Sequence, residues 1–98
     1  MAPAVTLRWS KRSKAHLQAA WEFIARDNAK AADELIERIL DAAEALERHP
    51  HMGRAGRIQG TRELVIPSTP FILTYRTERQ MITVLALFHG ARRWPEQF

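Results

Sequence analysis

Cysteine is absent from this 98-residue chain, so neither a disulfide framework nor a thiolate metal site can form. Lysine is scarce, with Lys11, Lys14 and Lys30 the only three. Acidic residues thin out in the second half. From residue 49 to 98 only Glu63, Glu78 and Glu96 are acidic, against Arg54, Arg57, Arg62, Arg76, Arg79, Arg92 and Arg93. No apolar run approaches the roughly 18–20 residues of a membrane-spanning helix. The longest, MITVLALF, is the length of a strand. The opening MAPAVTLRWSKR has no charged region followed by an apolar one, so it does not read as a signal peptide. The expectation is a cytoplasmic protein that does not engage a membrane. No glycine-rich loop follows a strand and opens a helix, and no nucleophile signature is present, so no cofactor is expected. His49 and His51 sit two residues apart in a loop beside Pro50 with no cysteine, a weak ligand pair, and no metal site is expected either.

What is present is an ordinary globular balance, 46% apolar and 27% charged, which excludes a disordered chain. The length predicts a single domain over residues 1–98. A chain of this size buries roughly 60–65% of its unfolded surface, enough for one modest core. The net charge of +4 is concentrated in the arginine-rich half. Such a surface suits an acidic partner, either nucleic acid or an acidic polypeptide, although a merely solvated basic face is the plain alternative. Arginine in place of lysine favours planar, bidentate contacts with carboxylate or phosphate.

The periodicities give an element order. AVTLRWS alternates Val5, Leu7 and Trp9 against Thr6 and Arg8, a half-buried strand over about residues 4–9. Leu17, Ala20, Trp21 and Ile24 form one stripe of a helix over about 11–27, with Ser10 or Ser13 as its cap. Asn28 reads as both break and cap for a second helix over about 29–48, striped by Ala32, Leu35, Ile36, Ile39, Leu40, Ala43 and Leu46. The short link folds the two helices into an antiparallel hairpin. Pro50 stops the second helix, and the glycine-rich segment 49–60 is expected to be a mobile loop. Three strands follow at about 61–66, 70–77 and 80–89, joined by the turn-length PSTP and TERQ, with a tail over 90–98. The order β-α-α-β-β-β predicts an α+β sandwich of two layers. A helix hairpin covers one face of a mainly antiparallel sheet and leaves the other face free.

Strict alternation along the last strand puts Leu85, Leu87 and His89 on one face and Ile82, Val84, Ala86 and Phe88 on the other. With Ile82, Val84 and Phe88 turned toward the helices, His89 is expected at the end of the free face, beside Arg92 and Arg93. RNA cleavage needs a base for the 2′-hydroxyl, cations on the phosphate and an acid for the leaving oxygen. His89, the arginines and Tyr75 are the right residue types. The plainer reading is a histidine that finishes a strand and a tyrosine packed in the core beside Phe71 and Leu73.

HPHMGR after the second helix, GTRELVI, FILTYR and the ending LALFHGARRWP, in this order and spacing, resemble the RelE/ParE superfamily of toxins from type II toxin–antitoxin modules. The resemblance runs from about Val5 to Pro95. It implies a toxin inhibited by a cognate antitoxin in a hetero-oligomer. RelE-like members are ribosome-dependent endoribonucleases that cut mRNA, whereas ParE-like members poison DNA gyrase. RelE proper draws on lysines around the loop and second strand, and here all three lysines lie in the helical region. A second ribonuclease subgroup ends its last strand in His-Tyr, with a Glu and an Arg upstream. This chain matches the histidine as His89 and the arginine as Arg62, but Gly90 replaces the tyrosine and no acid lies between His49 and Gly60. The HGAR ending looks more like the ParE type. The resemblance therefore implies a ParE-like toxin with gyrase as target. The alternative is a ribonuclease using His89, Arg62, Tyr75 and Arg92, and a third possibility is a toxin-derived chain that only binds its partner. An acidic, partly disordered antitoxin segment would lay a helix in an apolar groove and add a strand to a sheet edge. Arg62, Arg76, Arg92, Arg93 and Trp94 are the residues expected to contact it.

Overall fold

A computed structural model describes residues 5–90. Its elements are β1 (Thr6–Trp9), α1 (Lys11–Ala25), α2 (Ala29–Ala45), β2 (Arg54–Ala55), β3 (Arg62–Val65), β4 (Phe71–Glu78) and β5 (Met81–His89). Ser10 opens α1 by accepting from the Ser13 N–H at 3.1 Å, and Asn28 opens α2 by accepting from the Ala31 N–H at 3.0 Å. Each cap satisfies an amide that the first helical turn leaves without a partner. The hairpin is tied across by Trp21, whose Nε1 donates to Asp33 Oδ1 at 2.8 Å. α2 ends at Ala45, earlier than its apolar stripe suggests. Leu46, Glu47 and Arg48 each donate to the carbonyl three residues back, which tightens the last turn ahead of Pro50.

The sheet order is β1-β5-β4-β3-β2. β1 runs parallel to β5, and every other pair is antiparallel. The core lies between this sheet and the helices. Ala20 of α1 and Ile39, Ala43 and Leu46 of the α2 segment meet Leu64, Ile66, Leu73, Tyr75, Ile82, Val84 and Leu87. Each fully buried large aliphatic side chain contributes about 1.5–3 kcal/mol.

Two expectations are corrected. Segment 49–60 is not a loose loop, because Arg54 and Ala55 pair with Glu63 and Arg62 as a short edge strand. The phase of the last strand also changes along its length. Thr74 pairs with Ala86 but Tyr75 pairs with Val84, so Leu85 has no opposite residue. This bulge inserts one extra residue and reverses the alternation beyond it. Leu87 and His89 consequently share the helix-side face with Ile82 and Val84.

The face away from the helices is not uniformly open. Glu63, Ile72, Thr74 and Ala86 are buried there, while Arg8 and Arg76 at its other half are exposed.

Candidate functional site

Two groups of polar side chains stand out, at opposite ends of the helix-side face. The first surrounds the connection from α2 to β3. Tyr75 is wholly buried. Its hydroxyl donates to the Pro50 carbonyl at 2.8 Å and accepts from the Gly53 N–H at 2.9 Å. Burial pushes the phenol pKa above its ordinary value, against smaller opposing effects of the Gly53 hydrogen bond and the Arg62 charge. Arg62, opposite Tyr75 in register, donates through Nη1 to the Gly53 carbonyl at 2.8 Å. On the other face Glu63 is buried. Its Oε1 accepts from Arg54 Nη2 at 3.1 Å, and its Oε2 accepts from the Arg57 backbone N–H at 2.8 Å. Gly53 fits because it has no side chain. A Cβ there would stand 2.8 Å from Tyr75 Oη and 2.9 Å from the Glu63 carbonyl oxygen. The segment is thus pinned from both faces of the sheet.

The second group lines a groove of about 630 Å³ between the helix hairpin and the β4–β5 end of the sheet. Phe23, Leu35, Phe71 and Phe88 give it apolar walls, and His16, Glu34, Arg38 and His89 add polar groups. His89 packs edge-on against Phe71, with ring centroids 5.7 Å apart. β1 stops at Trp9, which leaves the upper edge of β5 without a neighbouring strand. α1 serves that edge with side chains instead. Ser10 Oγ donates to the Leu85 carbonyl at 3.1 Å, and His16 Nδ1 accepts from the Leu87 N–H at 3.1 Å.

Accepting that hydrogen bond requires Nδ1 to be unprotonated. Burial, reinforced by the Arg12 charge, holds the His16 pKa below its ordinary value. The unfolded chain therefore takes up a proton on His16 at higher pH than the folded protein does. Stability is at its full value above the ordinary histidine pKa of about 6.5 and falls as the pH drops through it toward the lowered folded value. Urea denaturation between pH 7.5 and 5.5 should show that decline, and His16→Asn, which offers an oxygen acceptor without titrating, should reduce it.

The expected site residues are not brought together. His89 is opposite Phe71 and Arg62 is opposite Tyr75, so His89 lies four residues along β4 from the Tyr75–Arg62 pair. At about 3.3 Å per residue that is roughly 13 Å. Arg62 is on the helix-side face and Arg76 on the opposite one, where it approaches Glu78 at 3.6 Å. Arg92, Arg93 and Trp94 lie outside the described residues. His16 and Glu63 were not singled out by sequence. A lone histidine on a helix and one acid in a short strand carry no signal until the register is known.

Comparison with known proteins places this architecture. Residues 7–94 match the family model described as ParE toxin of type II toxin-antitoxin system, parDE. The chain belongs to the ParE toxin family. A Sinorhizobium fredii protein named "Putative toxin Y4kP" is 37% identical over 90 residues, covering 92% of this chain and 93% of that protein. Toxin RelE2 of Caulobacter vibrioides is 26% identical over 84 residues, covering 86% and 93%. Among solved structures, one described as a chromosomal ParDE TA system from P. aeruginosa superposes with a TM-score of 0.79 at 20% identity, covering 88% of this chain and 96% of that one. The last likeness is one of fold: two helices on a mixed sheet of five strands. For this member of the ParE family, no helix among the described residues is long and apolar enough to cross a membrane.

Proposed function

We propose that this ParE-family toxin acts in the cytoplasm by capturing DNA gyrase, and that a cognate antitoxin neutralises it. The observation that carries the binding reading over the ribonuclease reading is the state of Tyr75. Its hydroxyl is buried and bonded both to Pro50 and to Gly53, so it is not available to protonate a leaving oxygen. Arg62 holds the same segment in place, and His89 lies roughly 13 Å away along the strand. A general base, a cation and an acid must meet at one phosphate to cleave RNA. These three do not.

The antitoxin reading draws on the groove. Apolar walls with Glu34 and Arg38 among the lining residues suit an amphipathic helix that presents apolar side chains inward and acids at its margin. Among the described residues, Arg62 is the one arginine of those expected to bind antitoxin that lies on the helix-side face, and there the Gly53 carbonyl already engages it.

Induced expression in a bacterial host separates the readings. A gyrase poison should give filamentation and induction of the DNA-damage response, both relieved by co-expressed antitoxin. Immediate loss of protein synthesis with normal DNA would instead indicate the ribosome. Normal growth with confirmed expression would indicate a chain that only binds its partner.

A further inference from the structure

The strand register assembles a group of cations that is dispersed in the sequence. Arg8 on β1 lies level with Thr83 on β5, and Thr83 lies opposite Arg76 on β4. Leu7 and Trp9 pack on the core, so Arg8 and Thr6 turn to the face away from the helices. Thr83 and Arg76 share that face, since Ile82, Val84 and Tyr75 beside them are core residues. Neighbouring strands lie about 4.8 Å apart, so Arg8 and Arg76 stand roughly 10 Å apart across β5. Both are exposed. Glu78 is the one acid on this half of the face, and it lies 3.6 Å from Arg76.

Arg79 adds a third cation at the same end. It sits at the tip of the β4–β5 hairpin with φ of +53°, a left-handed conformation that favours glycine or asparagine. An arginine there carries a conformational cost, which makes a role for its charge the natural question. On the opposite side of the molecule α2 presents Asp33, Glu34, Glu37, Asp41 and Glu44 to solvent. These five acids outnumber Lys30 and Arg38 on the same helix, so α2 is net negative and repels a polyanion that the arginine face attracts.

We infer that Arg8, Arg76 and Arg79, with the Thr6 and Thr83 hydroxyls between them, form a docking surface for the phosphodiester backbone of duplex DNA. The inference deepens the gyrase reading and rests on it only for its biological setting, since gyrase works on a DNA duplex. Guanidiniums bind phosphate bidentately, and hydroxyls commonly add backbone contacts. A duplex is favoured over a single strand because this half of the face has no aromatic side chain among the described residues. Proteins that bind single strands use aromatic side chains to stack bases. Backbone contact alone predicts binding that ignores base sequence and weakens with salt.

The test is fluorescence anisotropy of a labelled 20-base-pair duplex of mixed sequence with the purified toxin. Saturable binding is expected at 50 mM salt, with log affinity falling linearly against log salt. Arg8→Ala, Arg76→Ala and Arg79→Ala should each reduce that slope by about one. The triple reversal R8E/R76E/R79E should weaken binding at least tenfold, while Lys30→Glu on α2 should leave it within twofold. Unchanged circular dichroism spectra would establish that the exposed-site variants fold. Absence of duplex binding, or an unaffected triple variant, would overturn the inference. So would preference for a single strand of equal length or equally effective competition by polyglutamate, the latter pointing to an acidic polypeptide. The gyrase reading fails separately. A toxin that binds duplex through these arginines yet leaves gyrase active removes only that reading, and one that still traps gyrase with all three reversed removes only the docking surface.

Discussion

Tyr75→Phe should destabilise the toxin by about 2–4 kcal/mol, although the ring and its packing remain. The hydroxyl is the only difference, and it is bonded in both directions. Without it the Gly53 N–H and the Pro50 carbonyl each lose the partner that they have in the wild-type fold. An unmatched buried donor costs about 1–3 kcal/mol, and losing the second bond adds roughly one more. For a domain of this size the melting temperature should fall on the order of 10 °C. The same hydroxyl gives a pH signature. Burial raises its folded pKa, so its contribution is complete below the ordinary phenol value of about 10 and is lost as the pH rises toward the raised folded value. Tyr75→Phe should remove that alkaline loss. Gly53→Ala attacks the contact from the other side, placing a methyl 2.8 Å from Tyr75 Cε1, and should cost about 3 kcal/mol. Urea denaturation of both variants and their combination would measure the coupling. Losses that simply add would mean that the two residues do not act through one contact.

The second large effect concerns the phase of α2. Ile39→Ala should lose about 3–5 kcal/mol, whereas Leu40→Ala, one residue on, should lose less than about 1 kcal/mol. Ile39 has no exposed surface and lies in the core between hairpin and sheet, while Leu40 is 43% exposed. Both belong to the apolar stripe that the sequence displays, so composition alone does not separate them. Comparable losses at the two positions would mean that the helix is rotated from the orientation described here.

That contrast also shows what was legible in the sequence and what was not. The helix hairpin was legible because its determinants are local: a stripe every three to four residues and the Ser10 and Asn28 caps; the stop at Ala45, ahead of the expected end near residue 48, was not. The β3–β4–β5 meander was legible from its turn residues. In the structure these turns contain the two non-glycine residues with positive φ among the described residues, Ser68 and Arg79. The parallel pairing of β1 with β5 was not legible, since the partners are about seventy-five residues apart and no local pattern encodes their register. The bulge at Leu85 was hidden for a different reason. MITVLALF is apolar on both faces, so an extra residue changes the phase without disturbing the pattern.

From that one residue follows the placement of His89 in the groove instead of on the free face. The restrained 49–60 segment was hidden because its anchors, Tyr75 and Glu63, lie outside it. The arginine face was hidden as well, because Arg8 and Arg76 meet only through the β1–β5–β4 register.

The measurement that bears most directly on the function proposed here is a supercoiling and cleavage assay with purified gyrase, run with toxin alone and with toxin pre-mixed with its antitoxin. The account predicts loss of supercoiling with accumulation of cleaved DNA, both reversed by the antitoxin, and no loss of this activity in a His89→Ala variant that remains folded. Full gyrase activity at saturating toxin, together with cleavage of ribosome-bound mRNA that disappears in His89→Ala, would contradict it.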